Sequence, residues 1–425
     1  MIAIVIMAIL LSIGVPVAYV LGMAVLADAL WFPENVTILW LIKRFTEGVT
    51  TFQLLALPFF ILAAELMNTS GITRRIYEFA NLLVGHYKGG LGHVNVVGSM
   101  IFAGMSGSAT ADVAGLGKME TEAMIQAGYD RPFTAAVTAA TSTIGPIIPP
   151  SIPFVVYGAL VEESVGKMLL AGAIPGVLMG LAMMGVVAIR ARQRNYPSRP
   201  FPGFPVLLKG FTRAFLPLLT PVILVGGIVM GVFTPTEAAI AASGYAMFLS
   251  SVVYRELSLQ GIWRVFVNTG IDTGKFLFLL GMSFPVSLTI TTGQIPQKLI
   301  ALLLTISSQT WFFFLIVIAT FIFLGFFLDT IPSMIIALPI FMVSVKTLGI
   351  NPIHFGVVII LTMMVGLITP PFGMSMFIAC DIAKTDVPAF VRESIPFYAA
   401  ILAVVFLVTF VPDVALFLPN LFFRR

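Results

Sequence analysis

The sequence predicts an all-α polytopic membrane protein built from two structural repeats, each with a re-entrant helical hairpin and interrupted transmembrane helices. Three observations predict it. First, 59% of the 425 residues are apolar and 10% are charged, with mean hydropathy +1.05; a soluble domain carries about 25% charged residues. Second, runs such as WFFFLIVIATFIFLGFFL (311–328) and IPFYAAILAVVFLVTFV (395–411) approach the roughly 20 apolar residues that cross a bilayer as a helix. Third, TSTIGPIIPP (141–150) and TMMVGLITPP (362–371) match in register at Thr, Gly, Ile, Pro and Pro. Each sets prolines inside apolar sequence, where a helix interior loses roughly 3 kcal/mol per proline. The alternation of an outer-membrane barrel is not seen.

Residues 1–31 lack the basic leader of a signal peptide and read as a retained first span. The single cysteine, Cys380, excludes an internal disulfide and a multi-cysteine metal site. A net charge of +4, with the basic residues in loops, fits membrane topology rather than nucleic acid. The segment RARQRNYPSRPFPGFPVLLKGFTR (190–213) is too charged to span and reads as a cytoplasmic linker. It divides the chain into a first repeat, 1–194, a linker at 195–210, and a second repeat, 211–425.

Anchors recur in order on either side of that linker. TSG (69–71) pairs with TTG (291–293), Asp112 with Asp329, and Pro149-Pro150 with Pro370-Pro371. Two apolar segments with Pro or Gly near their middles, about 50–71 and 272–293, read as re-entrant hairpins, because each arm is about ten residues and too short to cross some 30 Å, with one kinked transmembrane helix as the alternative for each. Broken helices follow at about 131–163 and 352–381. A further interruption in each half lies at FAGMSGSATADVAGLG (102–117) and FIFLGFFLDTIPSMI (321–335). Unpaired backbone in hydrocarbon costs several kcal/mol per group, so such breaks persist only where protein or a water-lined cavity satisfies them. Paired breaks in corresponding halves point to a transport site.

The chemistry available at the breaks is that of oxygen ligands and helix ends. Carbonyls freed by Pro and Gly, with Ser and Thr hydroxyls, suit a hard cation such as Na+, and half-helix N-termini suit a carboxylate. The candidate sodium ligands are Ser106, Gly107, Ser108, Thr110, Gly145 and Ile148 in the first half. In the second they are Gly325, Asp329, Thr330, Gly366, Thr369 and Met374. Pro149, Pro150, Ser151, Pro370 and Pro371 at the breaks, with Lys275 and Ser283 in the second expected hairpin, are candidate substrate contacts. Lys275 either attracts an anion or snorkels to the interface. Asp112 and Asp329 either bind an ion or cap a broken helix, and these roles are compatible. His86, His93 and His354 adjoin Gly, Lys or Pro and read as interfacial. No nucleotide-binding loop or catalytic constellation is present, so the chain is not expected to be an enzyme.

The strings FAGMSGSATADVAGLG, STIGPIIPPSIPFVVYG, GVFTPTEAAIAA, GFFLDTIPSMIIALPI and GLITPPFGMSMFI resemble, over essentially the whole chain, the large membrane subunit of TRAP (tripartite ATP-independent periplasmic) transporters. The resemblance implies a member of the ion-transporter superfamily with inverted repeats and an elevator mechanism, in the bacterial inner membrane. It implies a sodium-coupled symporter with at least two Na+ sites, importing an organic acid of the sialic acid or C4-dicarboxylate class. The implied partners are a small four-helix membrane subunit, expected to be a separate chain, and a periplasmic substrate-binding protein. A self-sufficient sodium- or proton-coupled carboxylate carrier of the same superfamily is the alternative.

Overall fold

A computed structural model of the chain describes residues 6–7, 9–11, 13–31, 37–50, 52–292, 294, 297 and 309–423. Every regular element among them is helical. The first half contains α1 (Val17–Trp31), α2 (Ile38–Val49), α3 (Ala56–Thr69, entered through a tight turn at Phe52–Leu55), α4 (Ile72–Val84), α5 (Gly90–Ser106), α6 (Ala109–Ala114), α7 (Leu116–Gln126), α8 (Arg131–Ser142), α9 (Ile152–Val161) and α10 (Val165–Gln193). The second contains α11 (Phe204–Pro221, continued through a wide turn to Val229), α12 (Pro235–Phe248, likewise continued to Val253), α13 (Leu259–Thr292), α14 (Thr310–Gly325), α15 (Thr330–Thr347), α16 (Pro352–Leu367), α17 (Met374–Ala383), α18 (Val387–Phe410) and α19 (Asp413–Phe422). Among the described residues, five of these are long and apolar enough to cross a membrane, namely α10, extended α11, extended α12, α15 and α18. The chain is a multi-pass membrane protein.

The hairpins expected at about 50–71 and 272–293 are not hairpins. Residues 56–69 run as one helix through Pro58, and the chain bends by 70° only between α3 and α4. Residues 272–292 are the end of the single helix α13, with Pro285 in its interior; Gly293 lies outside the described residues. A proline in a membrane helix is tolerated where neighbouring helices re-satisfy the freed backbone. Small residues bring those neighbours close: Gly281 of α13 sits against Phe45 and Val49 of α2, and Gly48 of α2 sits against Phe284.

The chain reverses instead at the other two interruptions. Between α5 and α6 it turns at Gly107–Ser108. Gly98 then faces Leu116 and Glu120, and Asn95 reaches Met124, so α7 returns antiparallel to α5. Between α14 and α15 it turns at Phe326–Asp329, and Phe313 meets Phe341 at 6.0 Å between ring centroids. The helices α8/α9 and α16/α17 are broken at 143–151 and 368–373. Asp130 and Asn351 stand at the N-caps of α8 and α16, each with proline in the first turn.

The hairpins and broken helices of both halves form one core. The first-half helix α8 packs on α17 and α18, and α16 contacts α9 and α10. Phe133, Phe154, Tyr157, Phe321, Phe355 and Phe397 are fully buried there. Helix α13 lies against α1, α2 and α3 on its flank and also touches α15. The extended segment that follows α10 is shorter than the linker expected at 195–210, since α11 begins at Phe204. Just before it, Arg194 bonds Asp130 (2.9 Å) and Glu393 (2.6 Å), tying the two halves together. His354, expected at an interface, is buried with Nε2 2.8 Å from Val408 O, at the packed start of α16.

Candidate ion and substrate site

Each hairpin tip rests on the break of its own half. In the first half Gly107 takes a left-handed conformation (φ 58°) that ends α5. A side chain there would also collide with the break, because a Cβ would lie 3.0 Å from Pro150 O and 3.1 Å from Ile152 N. Ser108 caps α6, accepting from Ala111 N, and its hydroxyl lies 3.1 Å from that of Thr110. Gly145 stands beside the Ser108 carbonyl. Ser151 caps α9, accepting from Phe154 N at 3.3 Å and donating to Pro146 O. Ile148 packs on Gly176 of α10. Ser106 is the last residue of α5.

The second half repeats this with different side chains. Asp329 caps α15, accepting from Thr330 N at 2.6 Å. Gly325 and Gly366 touch backbone to backbone: a Cβ on Gly325 would lie 3.0 Å from Gly366 Cα. Phe372 N donates to Phe326 O at 3.2 Å, which fastens tip to break. Thr369 donates its hydroxyl to Val365 O (2.6 Å), and Tyr398 donates to Ile368 O (2.7 Å). Pro149-Pro150 and Pro370-Pro371 are both cis.

The two halves meet around one small cavity of about 40 Å³. Gly107, Ser108, Thr110 and Pro146 line it from the first half, Asp329, Thr330 and Leu367 from the second, and Phe276 of α13 closes one side. A water-sized species needs roughly 15 Å³ of such volume. The cavity therefore admits an ion or a water and excludes an organic acid. Its polar lining is hydroxyl, carbonyl and a single carboxylate, which is ligand chemistry for a hard monovalent cation. Among the described residues no group of three His, Cys, Asp or Glu side chains could hold a metal.

Other candidates fall elsewhere. Met374 is largely exposed and is not among the residues lining the cavity. Lys275 pairs with Asp272 (2.9 Å) on the exposed face of α13. Ser283 donates to Leu280 O (2.6 Å) and lines a second cavity, about 240 Å³, between α9, α13 and α15. Asp112 is fully buried in α6, away from the cavity, with Ser99 and Glu120 as its polar neighbours.

Residues 4–414 match the family described as "Tripartite ATP-independent periplasmic transporter, DctM component". The chain belongs to the TRAP transporter DctM family. It is 40% identical to the sialic acid TRAP transporter large permease protein SiaM of Vibrio cholerae, over 97% of this chain and 96% of that one. It is 38% identical to the C4-dicarboxylate TRAP transporter large permease protein DctM of Pseudomonas aeruginosa, over 92% and 91%. The Alcanivorax borkumensis YdaH transporter shares the fold, with TM-score 0.62, 13% identity and coverage of 90% and 88%. A TRAP large permease is a transport subunit and not an enzyme. The family implies a tripartite system with a small membrane subunit and a periplasmic binding protein.

The TRAP core also holds polar residues that the sequence does not flag. Glu120, in the ordinary-looking string LGKMETEAMIQ, is buried over Gly98 of α5. Asn95 Nδ2 donates to Thr138 (2.8 Å), and Thr141 donates to Asn95 Oδ1 (2.5 Å), linking α5 to α8 behind the first tip. For α8 the signal is a polar residue recurring on the inward face of the helix, as Thr134, Thr138 and Thr141 do.

Proposed function

We propose that the chain is the membrane-embedded transport subunit of a sodium-coupled, binding-protein-dependent symporter that imports an organic acid across the bacterial inner membrane. The observation that carries this reading is the convergence of two hairpin tips and two helix breaks on one ion-sized cavity. Ser108, Thr110, Asp329 and Thr330 would hold Na+ there, with carbonyls of the breaks at Gly145 and Gly366 as further ligands. The first-half and second-half oxygens form two clusters, which supports at least two ions per cycle.

A carboxylate substrate needs more room than the cavity gives. It would enter when the core moves relative to α13, which supports an elevator-type mechanism with the halves as inverted repeats. The N-termini of α9 and α17, at Ser151 and beyond Pro371, offer N–H groups to an acid. Sialic acid is the leading substrate, since the SiaM relative is named for it, with C4-dicarboxylates next. The partners are a small four-helix membrane subunit and a periplasmic protein that delivers the acid.

The test is uptake into proteoliposomes that contain this chain, its small subunit and the loaded binding protein. Uptake is expected only with Na+ outside, and it should rise with an inside-negative potential. Full uptake driven by a proton gradient alone would overturn sodium coupling. Uptake by the isolated chain would overturn dependence on partners and favour a self-sufficient carrier.

A further inference from the structure

We propose that a basic cavity at the bend between α3 and α4 binds the phosphate of an anionic phospholipid. The cavity measures about 480 Å³ and lies between that bend, the first half of α11 and the segment after α12. Three guanidiniums line it, those of Arg74, Arg75 and Arg213, against two carboxylates, Glu78 and Glu256. The surplus is one positive charge.

The charges are not equivalent. Arg75 grips Glu256 with both ends of its fork, at 2.9 and 3.3 Å, and stacks over Tyr254 at 3.8 Å. Gly71 N–H donates to the same carboxylate at 2.6 Å. This group is satisfied internally and forms a fixed wall. Arg74 holds Glu78 (3.0 Å) across one turn of α4, with both side chains largely exposed. Such a pair is worth only tenths of a kcal/mol, so Arg74 exchanges partners readily. Arg213 makes no ion pair with a carboxylate among the described residues. Arg74 and Arg213 therefore present free guanidinium donors to one space, which suits a tetrahedral phosphate.

The location selects a lipid over a soluble anion. Extended α11 runs from Phe204 to Val229, and roughly its last 20 residues suffice for the hydrocarbon. Arg213 falls in the first turn of that stretch, from which its long side chain reaches up to the headgroup level. Phe211 and Phe215 beside it are exposed, with Phe79 of α4 packed on Phe211 at 5.8 Å. Acyl chains can run down that face while the phosphate sits among the arginines. The Arg-rich stretch from Arg190 to Arg199 precedes α11 and matches the leaflet where basic pockets recruit anionic lipid.

The experiment uses the full chain in phosphatidylcholine nanodiscs, with phosphatidylglycerol titrated in and bound lipid read by native mass spectrometry. Phosphatidylglycerol is expected to bind in preference to phosphatidylcholine. The Arg74→Ala/Arg213→Ala double variant should bind it about tenfold more weakly, a loss on the scale of a charge-assisted hydrogen bond. Arg192→Ala, at a surface position, should bind as the parent does. Glu78→Gln removes the competing carboxylate and should tighten binding several-fold, a gain that misfolding cannot imitate. Unchanged affinity in either the double variant or Glu78→Gln overturns the proposal, as does equal retention of phosphatidylcholine. Inorganic phosphate and glycerol phosphate are expected not to compete; full competition by either would make this a soluble-phosphate site and overturn the lipid assignment.

Discussion

Gly366→Ala is expected to damage both stability and transport, and the structure sets the size of the effect. A Cβ on Gly366 would lie 2.5 Å from Gly325 Cα, 2.6 Å from its carbonyl carbon and 2.9 Å from its oxygen. Ordinary contact begins near 3.4 Å, so tip and break must part by about 0.9 Å. All three obstructing atoms are backbone, so no rotamer change relieves them. Overpacking of this kind costs about 1–3 kcal/mol, here towards the upper end. Replacing glycine by alanine in a helix returns up to about 1 kcal/mol, leaving a net loss of about 2 kcal/mol. The corresponding first-half glycine, Gly145, would bring its Cβ to 3.1 Å from Ser142 O and 3.4 Å from Ser108 O. A shift of about 0.3 Å accommodates it, so Gly145→Ala should be clearly milder. Gly274→Ala on α13 meets nothing within 4 Å and should stabilise slightly. Thermal unfolding in nanodiscs and sodium-driven uptake in proteoliposomes measure the series. If Gly366→Ala melts with the parent and transports normally, the tip-to-break contact does not constrain the site and the reasoning fails.

Three further outcomes are expected. Asp329→Asn keeps a good helix cap while removing the cavity's carboxylate, so the fold should persist and half-maximal uptake should need more Na+; unchanged sodium dependence would reduce Asp329 to a cap. Thr234 and Glu237 form a reciprocal capping box at the start of α12, so Thr234→Ala should cost about 1 kcal/mol in unfolding experiments and leave the sodium dependence of uptake alone. The Arg75 guanidinium, bonded to Glu256 in the segment between α12 and α13, holds that carboxyl below its ordinary value of 4.5. A depressed acid contributes stability above its unfolded value and loses it as pH falls through the folded one. Melting curves from neutral pH downwards should therefore show an acid-side loss, setting in below about 4.5, that Arg75→Ala diminishes.

The membrane class and the two proline-pair breaks are legible in the sequence because composition and proline act locally. Hairpin position is not. Pro58 and Pro285 look like breaks, yet Pro58 stands in the first turn of α3, where its missing N–H breaks no helical bond, and Pro285 sits within α13, whose neighbours support it. The true reversals are marked by Gly107–Ser108 and by Phe326–Asp329, where the return helix begins at a side-chain cap. Pairing Asp112 with Asp329 also misaligns the halves. The structure pairs caps with caps, Ser108 with Asp329, at a spacing of 221 residues that Gly104/Gly325, Gly145/Gly366 and Pro149/Pro370 share. Glu120 is hidden for another reason. Its burial comes from α7 folding back on Gly98, and nothing local in LGKMETEAMIQ announces that contact.

That common spacing exposes an exchange between the halves. In each, a hydroxyl and a carboxylate sit four residues apart on the return arm of the hairpin, hence on one helix face. The first half has Ser108 at the cap and Asp112 one turn later; the second has Asp329 at the cap and Ser333 one turn later. Asp112 and Ser333 are both buried behind their tips, while Ser108 and Asp329 both line the shared cavity. A symmetric pair of acids at the caps would place two like charges across about 40 Å³ of low-dielectric space, a strongly repulsive arrangement without a cation between them. Two serines would leave the cavity with no formal charge to favour a cation over water. A serine facing an aspartate gives the cavity one carboxylate and no repelling partner, and keeps a polar residue behind each tip. Duplication thus supplies four backbone interruptions in matching positions, and the exchange of Ser and Asp sets the charge where they meet.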